Sequence, residues 1–160
     1  MLLTTSMTID IALFQPDIPQ NTGTTLRTAA CFGSHVHIIE PCGFIFDDRK
    51  FKRAGMDYIQ HVQITRHLSW DYFYQWAAQN QRRLVLMTTK TDLAYTRFDF
   101  LPQDILVAGR ESAGVPDMVH DSCSQRITIP MQHDVRSLNV AVATAIVLSE
   151  AVRQMCVNLK

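Results

Sequence analysis

Short continuous apolar runs alternate along this chain with stretches whose apolar positions recur at helical spacing. Thr8 to Phe14 is such a run, halted by Gln15-Pro16, and predicts a strand followed by a loop that carries a second proline, Pro19. A helix should follow, capped by Asn21 or Thr22, burying Leu26, Ala29, Ala30 and Phe32 and stopping at Gly33. His35 to Glu40 reads as the next strand, ended by Pro41. Ser69 is placed to cap a helix over Trp70 to Asn80, and strands are expected at Leu84 to Thr89 and Ile105 to Gly109. A short helix near Pro116 to Asp121, a strand over Arg126 to Ile129 and a helix from about Ser137 to Met155 complete the pattern.

Strands alternating with helices, without hairpin signals, predict an α/β fold: a mainly parallel sheet with helices on both faces. In such folds ligands bind beyond the carboxyl ends of strands, so the loops after Thr89, Gly109 and Ile129 are the candidate site. The 160 residues predict a single domain, 1–160, and 47% hydrophobic with 19% charged residues is a globular balance. Val140 to Leu148 is far shorter than the roughly 20 apolar residues of a membrane span. Met1 to Ile9 lacks a basic segment and a long apolar one, so secretion is not expected and a cytoplasmic protein is.

The last third carries the densest chemistry. An apolar run reaches Gly109 and is followed by Arg110-Glu111-Ser112-Ala113-Gly114-Val115-Pro116, and Ile129-Pro130-Met131 precedes Ser137-Leu138-Asn139 at the start of a helix. Glycine lets a ligand approach backbone where a Cβ would block it, and helix-mouth N–H groups lack intrahelical partners. The chain has no GK[ST] triplet and no GxGxxG after its first strand, which removes the phosphate-loop and dinucleotide readings; it also has no GxSxG elbow, which leaves a hydrolase only as a weak alternative. The four cysteines form no CxxC pair and predict reduced thiols. His35 and His37 would share one face of a strand, but with no third ligand nearby no metal is expected.

Two segments support two readings each. Asn21 and Arg27 are a cap and a solvated helix residue, or they face a common anionic or hydroxyl-bearing substrate. Arg49, Lys50, Lys52 and Arg53 are a solvated helix face, or with Phe44, Phe46, Phe51 and Tyr58 they form a basic aromatic strip for RNA, which Arg66-His67 and Arg82-Arg83 would extend. A net charge of zero argues against a broad polyanion binder, not against a local patch.

Asn21-x-Gly23-x-x-x-Arg27, Gly109-x-Glu111-x-x-Gly114-Val115-Pro116, Ile129-Pro130-Met131 and Ser137-Leu138-Asn139 together resemble the signature motifs of the SPOUT superfamily of RNA ribose methyltransferases. The segments Phe14 to Gly23, Ile39 to Phe44 and Asp47 to Tyr58 are similar to its TrmL type, which methylates the ribose 2'-OH of the wobble cytidine or modified uridine of tRNA. The resemblance spans about Ile9 to Gln154. It implies a C-terminal deep trefoil knot, a homodimer, tRNA as partner and S-adenosylmethionine held by Met87, Thr88, Gly109, Glu111, Ile129, Met131, Ser137 and Asn139. It also implies that Arg27 is catalytic, supported by Asn21, Ser137 and Asn139, and that Arg27 faces the cofactor of the other subunit. The competing readings are 2'-O-methylation of another tRNA position or of rRNA, and an RNA-binding module without turnover.

Overall fold

Asp10–Phe14 is buried from end to end and forms β1, the centre of the molecule. Its side chains alternate between two cores: Ile11 and Leu13 belong to one, Ala12 and Phe14 to the other. The computed structural model describes residues 8–53 and 57–155. The remaining strands are β2 (Val36–Ile39), β3 (Ile64–His67), β4 (Arg83–Met87), β5 (Asp104–Ala108) and β6 (Gln125–Ile127). They form one six-stranded sheet in the order β3-β2-β1-β5-β4-β6, and every pairing is parallel. Ile11 pairs with Val36 on one side and Leu106 on the other, which explains the unbroken apolar runs of the central strands.

Helices cover both faces, as the pattern predicts. On one face α1 (Pro19–Phe32) and α5 (Val140–Gln154) bury Leu26, Ala29, Val147, Leu148 and Ala151. On the other, α3 (Trp70–Gln79) buries Trp70, Phe73 and Ala77, joined by Val119 of α4 (Asp117–Ser122). Ser69 caps α3 as expected, accepting from Tyr72 N, and Gly33 ends α1 in the left-handed conformation at φ 71°.

Two helix starts differ from expectation. Pro19, whose φ is preset for a first helical turn, opens α1 with Ile18 at the cap, so Asn21 lies inside the helix and its side chain is free for tertiary bonding. α5 begins at Val140, because the Asn139 side chain accepts from Ala141 N and Val142 N and so ends the preceding loop. Ser137 therefore sits in that loop and not in the helix mouth.

The proposed basic aromatic strip is largely corrected. Residues 48–53 form α2 (Asp48–Arg53) with Arg49 and Lys50 exposed, but Phe46 and Phe51 are core residues 5.0 Å apart. The side chains of Lys52 and Arg53 lie outside the described residues. Arg66 is on edge strand β3, which the short polar-interrupted sequence did not announce, and pairs with Glu40. His67 is buried, Arg82 pairs with Asp10 at 2.7 Å and Arg83 with Asp104 at 2.5 Å, so these residues serve the fold.

The α3 face contains a histidine cluster. His37 is fully buried, its Nδ1 3.0 Å from His67 Nε2 and its ring 4.2 Å from that of His35. Desolvation, with the like charge of His37 adding to it, holds His35 and His67 at about 4. In the unfolded chain a histidine titrates near about 6.5, so between those values the unfolded state binds more protons. Stability should therefore fall as pH drops from about 6.5 to about 4, and His35→Gln should flatten that slope. Thermal melts across this range, in buffer containing a chelator, test it; a melting temperature independent of pH contradicts it.

Candidate functional site

The chain bends tightly where the apolar runs end, and those bends enclose a cavity of about 580 Å³. Its walls come from Met87 at the end of β4, from the loops after β4 (Thr88, Lys90), β5 (Gly109, Glu111, Gly114) and β6 (Thr128, Ile129, Met131), and from Ser137, Leu138 and Asn139 before α5. That volume is in the range of small-molecule sites, and the position is the one the parallel sheet predicts.

Gly109 makes the central bend possible. A Cβ there would lie 2.8 Å from Gly114 C and 2.9 Å from Gly114 Cα. The close approach lets Arg110 and Gly114 exchange backbone hydrogen bonds of 3.0 and 2.8 Å, with Gly114 at φ 64°. The turn so formed carries Glu111 toward α1, where its carboxylate accepts from Asp17 N at 3.0 Å and Asn21 Nδ2 at 3.4 Å. Asn21 Oδ1 in turn accepts from Asn139 Nδ2 at 2.8 Å, and Asn139 caps α5. A chain of polar bonds thus ties three distant motifs together along the cavity.

Electrostatics around the bend are local. Contacts with Glu111 and the Ser112 hydroxyl hold the Asp17 carboxyl below its ordinary value, and Arg110 adds to this. Burial pushes the Cys42 thiol up to about 11 and Cys123 up to about 12, so both stay protonated and are poor nucleophiles.

All eight residues expected to hold a cofactor line this one cavity, and Asn21 joins them. Arg27 does not: it lies exposed on α1, outside the lining, with its guanidinium 4.5 Å from the centre of the Tyr58 ring. Sequence reasoning missed three lining features: Lys90, the apolar wall of Ile127 and Val147, and His120, whose buried Nε2 has no hydrogen-bond partner among the described residues. None of these positions belongs to a motif; the packing of α4 and α5 brings in His120 and Val147, and the sheet order brings in Lys90 and Ile127.

The walls suit an amphiphilic, nucleoside-like molecule. Ile127, Ile129, Leu138 and Val140 offer apolar surface, Gly109 permits close backbone approach, and Glu111 supplies negative charge opposite a cationic group. Fold and site together define an α/β protein that binds such a ligand at the carboxyl edge of a parallel sheet.

Known proteins narrow that class. The chain belongs to the SpoU rRNA methylase family, whose model matches residues 8–149. A tRNA (cytidine(34)-2'-O)-methyltransferase of Beijerinckia indica is 56% identical over 145 residues, 91% of each chain. A solved structure giving structural insights into the 2-OH methylation of C/U34 on tRNA superposes with TM-score 0.85 at 37% identity, covering 92% of this chain and 96% of its own. The SpoU methyltransferase AviRb from Streptomyces viridochromogenes, solved in complex with the cofactor AdoMet, superposes with TM-score 0.83 at 25% identity, covering 92% of this chain and 60% of that one. The resemblance to the SPOUT superfamily is borne out.

Proposed function

We propose that this protein is an S-adenosylmethionine-dependent methyltransferase acting on the ribose 2'-OH of the wobble nucleotide of tRNA, a cytidine or modified uridine. The observation that carries the reading is the convergence of three sequence-distant motifs on one cavity, in a chain with close relatives named for this reaction. S-adenosylmethionine supplies, when bound, a methyl group made electrophilic by a positively charged sulfur. Met87, Thr88, Gly109, Ile129 and Met131 would hold it through backbone and apolar contacts, and Glu111, Ser137 and Asn139 through polar ones.

The 2'-OH must be oriented, stripped of bulk water and stabilised as it loses its proton. Arg27 is the residue that does this: a guanidinium carries only N–H donors and no acceptor, so it acts by orienting the ribose and stabilising developing negative charge, not as a base. Asn21, Ser137 and Asn139 support that geometry as polar groups at the cavity. Arg27 stands outside the cavity of its own chain, which supports a homodimer in which it reaches the partner's site. Val142 on α5, exposed by 47% and outside the cavity lining, supplies apolar surface for that contact.

The same reading takes residues 1–160 as one domain with a C-terminal trefoil knot. Its support is the strand-end segment after β6, where Thr128 N donates to Leu93 O and Thr128 O accepts from Tyr95 N, stringing the chain along residues 93–95. Arg49, Lys50, Lys52 and Arg53 would meet RNA phosphates mainly by charge, since Phe46 and Phe51 beside them are buried. No helix among the described residues is long and apolar enough to cross a membrane, and a tRNA substrate makes the cytoplasm the proposed place of action.

The decisive assay supplies S-adenosylmethionine with unmethylated total tRNA and, in parallel, rRNA, then locates the methylated nucleotide by ribonuclease digestion to oligonucleotides and mass spectrometry. Expected products are 2'-O-methylcytidine or a 2'-O-methyluridine derivative at the wobble position. Methyl transfer confined to rRNA, or cofactor binding without transfer to any RNA, overturns the assignment.

A further inference from the structure

The histidine cluster beneath α3 plays no part in the proposed reaction. Asp10 opens β1, whereas the cavity lies beyond the carboxyl ends of the strands. The sequence offers His35 and His37 no third ligand, but the parallel pairing of β1 with β2 does: one donor atom each from Asp10, His35 and His37 lies within 4.8 Å of the others. We propose that Asp10, His35 and His37 form a binding site for one divalent first-row transition ion of the zinc class, bridging β1 and β2 between the sheet and α3.

The spacing of one ligand pair matches that of donors around an ion. His37 Nε2 and Asp10 Oδ2 are 3.4 Å apart. A charge-assisted N–H···O bond is about 2.7–2.9 Å, but two donors about 2.0–2.2 Å from a tetrahedral zinc ion stand about 3.3–3.5 Å apart. The surroundings resemble an outer shell that orients ligand rings. His67 Nε2 engages His37 Nδ1 at 3.0 Å, leaving Nε2 for the ion, and Thr65 Oγ1 steadies His35 through its Nε2 at 2.8 Å. His37 is fully buried and His35 partly exposed, which gives one open side for entry and for a water ligand.

Arg82 is the competitor. Its Nη1 lies 2.7 Å from Asp10 Oδ2, so without an ion the guanidinium neutralises the carboxylate. Its other nitrogens reach Gln103 O and Asp104 O, which anchor the side chain independently of Asp10. An ion would share Asp10 with a fixed positive charge, so removing that charge should strengthen the site while removing a ligand weakens it.

The test uses the untagged full chain, stripped with a chelator, dialysed and titrated with Zn2+ by calorimetry, with Co2+ absorption as a second readout. Expected are one equivalent per chain, at least about tenfold weaker binding in His35→Asn and His37→Asn, and tighter binding in Arg82→Gln. Damage to the fold lowers binding in every variant, so tightening in Arg82→Gln cannot arise from it. Absence of stoichiometric binding by the wild type, binding that survives both histidine substitutions, or weakening in Arg82→Gln overturns the proposal.

Discussion

Arg27→Ala should lower methyl transfer to tRNA by about 10²–10³-fold, the usual cost of deleting one donor that stabilises a developing oxyanion, about 3–4 kcal/mol. Affinity for S-adenosylmethionine should stay unchanged, because Arg27 is not in the lining of its own chain's cavity. Arg27→Lys keeps the charge but loses the planar fork and should recover only part of the rate. A mixed dimer separates the subunit arrangement from the chemistry. If Arg27 acts across an interface, combining an Arg27→Ala chain with a cofactor-site-defective chain leaves one site with both lesions and one intact site, so activity returns. If it acts within its own chain, every site carries one lesion and activity stays low. Full activity in Arg27→Ala with normal cofactor binding would remove the residue from the mechanism.

Gly109→Ala should damage the cofactor cavity by adding a single methyl group. Its Cβ would sit under 3.0 Å from Gly114 backbone, which cannot rotate away as a side chain can. The Arg110–Gly114 turn would have to open, moving Glu111 off Asp17 N and Asn21 and distorting the cavity rim. Overpacking of this kind costs about 1–3 kcal/mol, and misplacement of the rim should weaken S-adenosylmethionine binding by at least about tenfold. Calorimetry with the cofactor and a thermal melt read both effects. Ser112→Ala is the control, since Ser112 bonds to Asp17 and lies outside the cavity lining. Equal cofactor affinity in Gly109→Ala and wild type would mean the bend is not needed for the site.

How far these residues could be seen in the sequence varies with the range of the forces that place them. β1 and β5 were legible because a strand covered on both faces must be continuously apolar, and Asp10–Phe14 and Asp104–Ala108 are nearly so. Gly33 and Ser69 announced helix ends through local backbone chemistry. Asn21 misled: it looks like a cap, yet Pro19 sets the helix start two residues earlier and frees the amide for Glu111 and Asn139. Phe46 and Phe51 misled for a related reason, since an aromatic residue beside a charge run has the same local pattern whether it faces RNA or the core. Arg82 and Arg83 looked like surface charge until Asp10 and Asp104, far away in the chain, were seen to pair with them.

By itself the sequence determined the alternation of strands and helices, the parallel sheet, the loops that carry the site and, through motif spacing, the family. These depend on periodicity, turn chemistry and residue identity, all local properties of the chain. Only the tertiary structure decided that Glu111, Asn21 and Asn139 form one hydrogen-bonded line and that Arg27 lies outside its own cavity. It also decided that Asp10 completes a cluster with His35 and His37. Those outcomes depend on strand order and helix packing, which bring together side chains that no spacing along the chain relates.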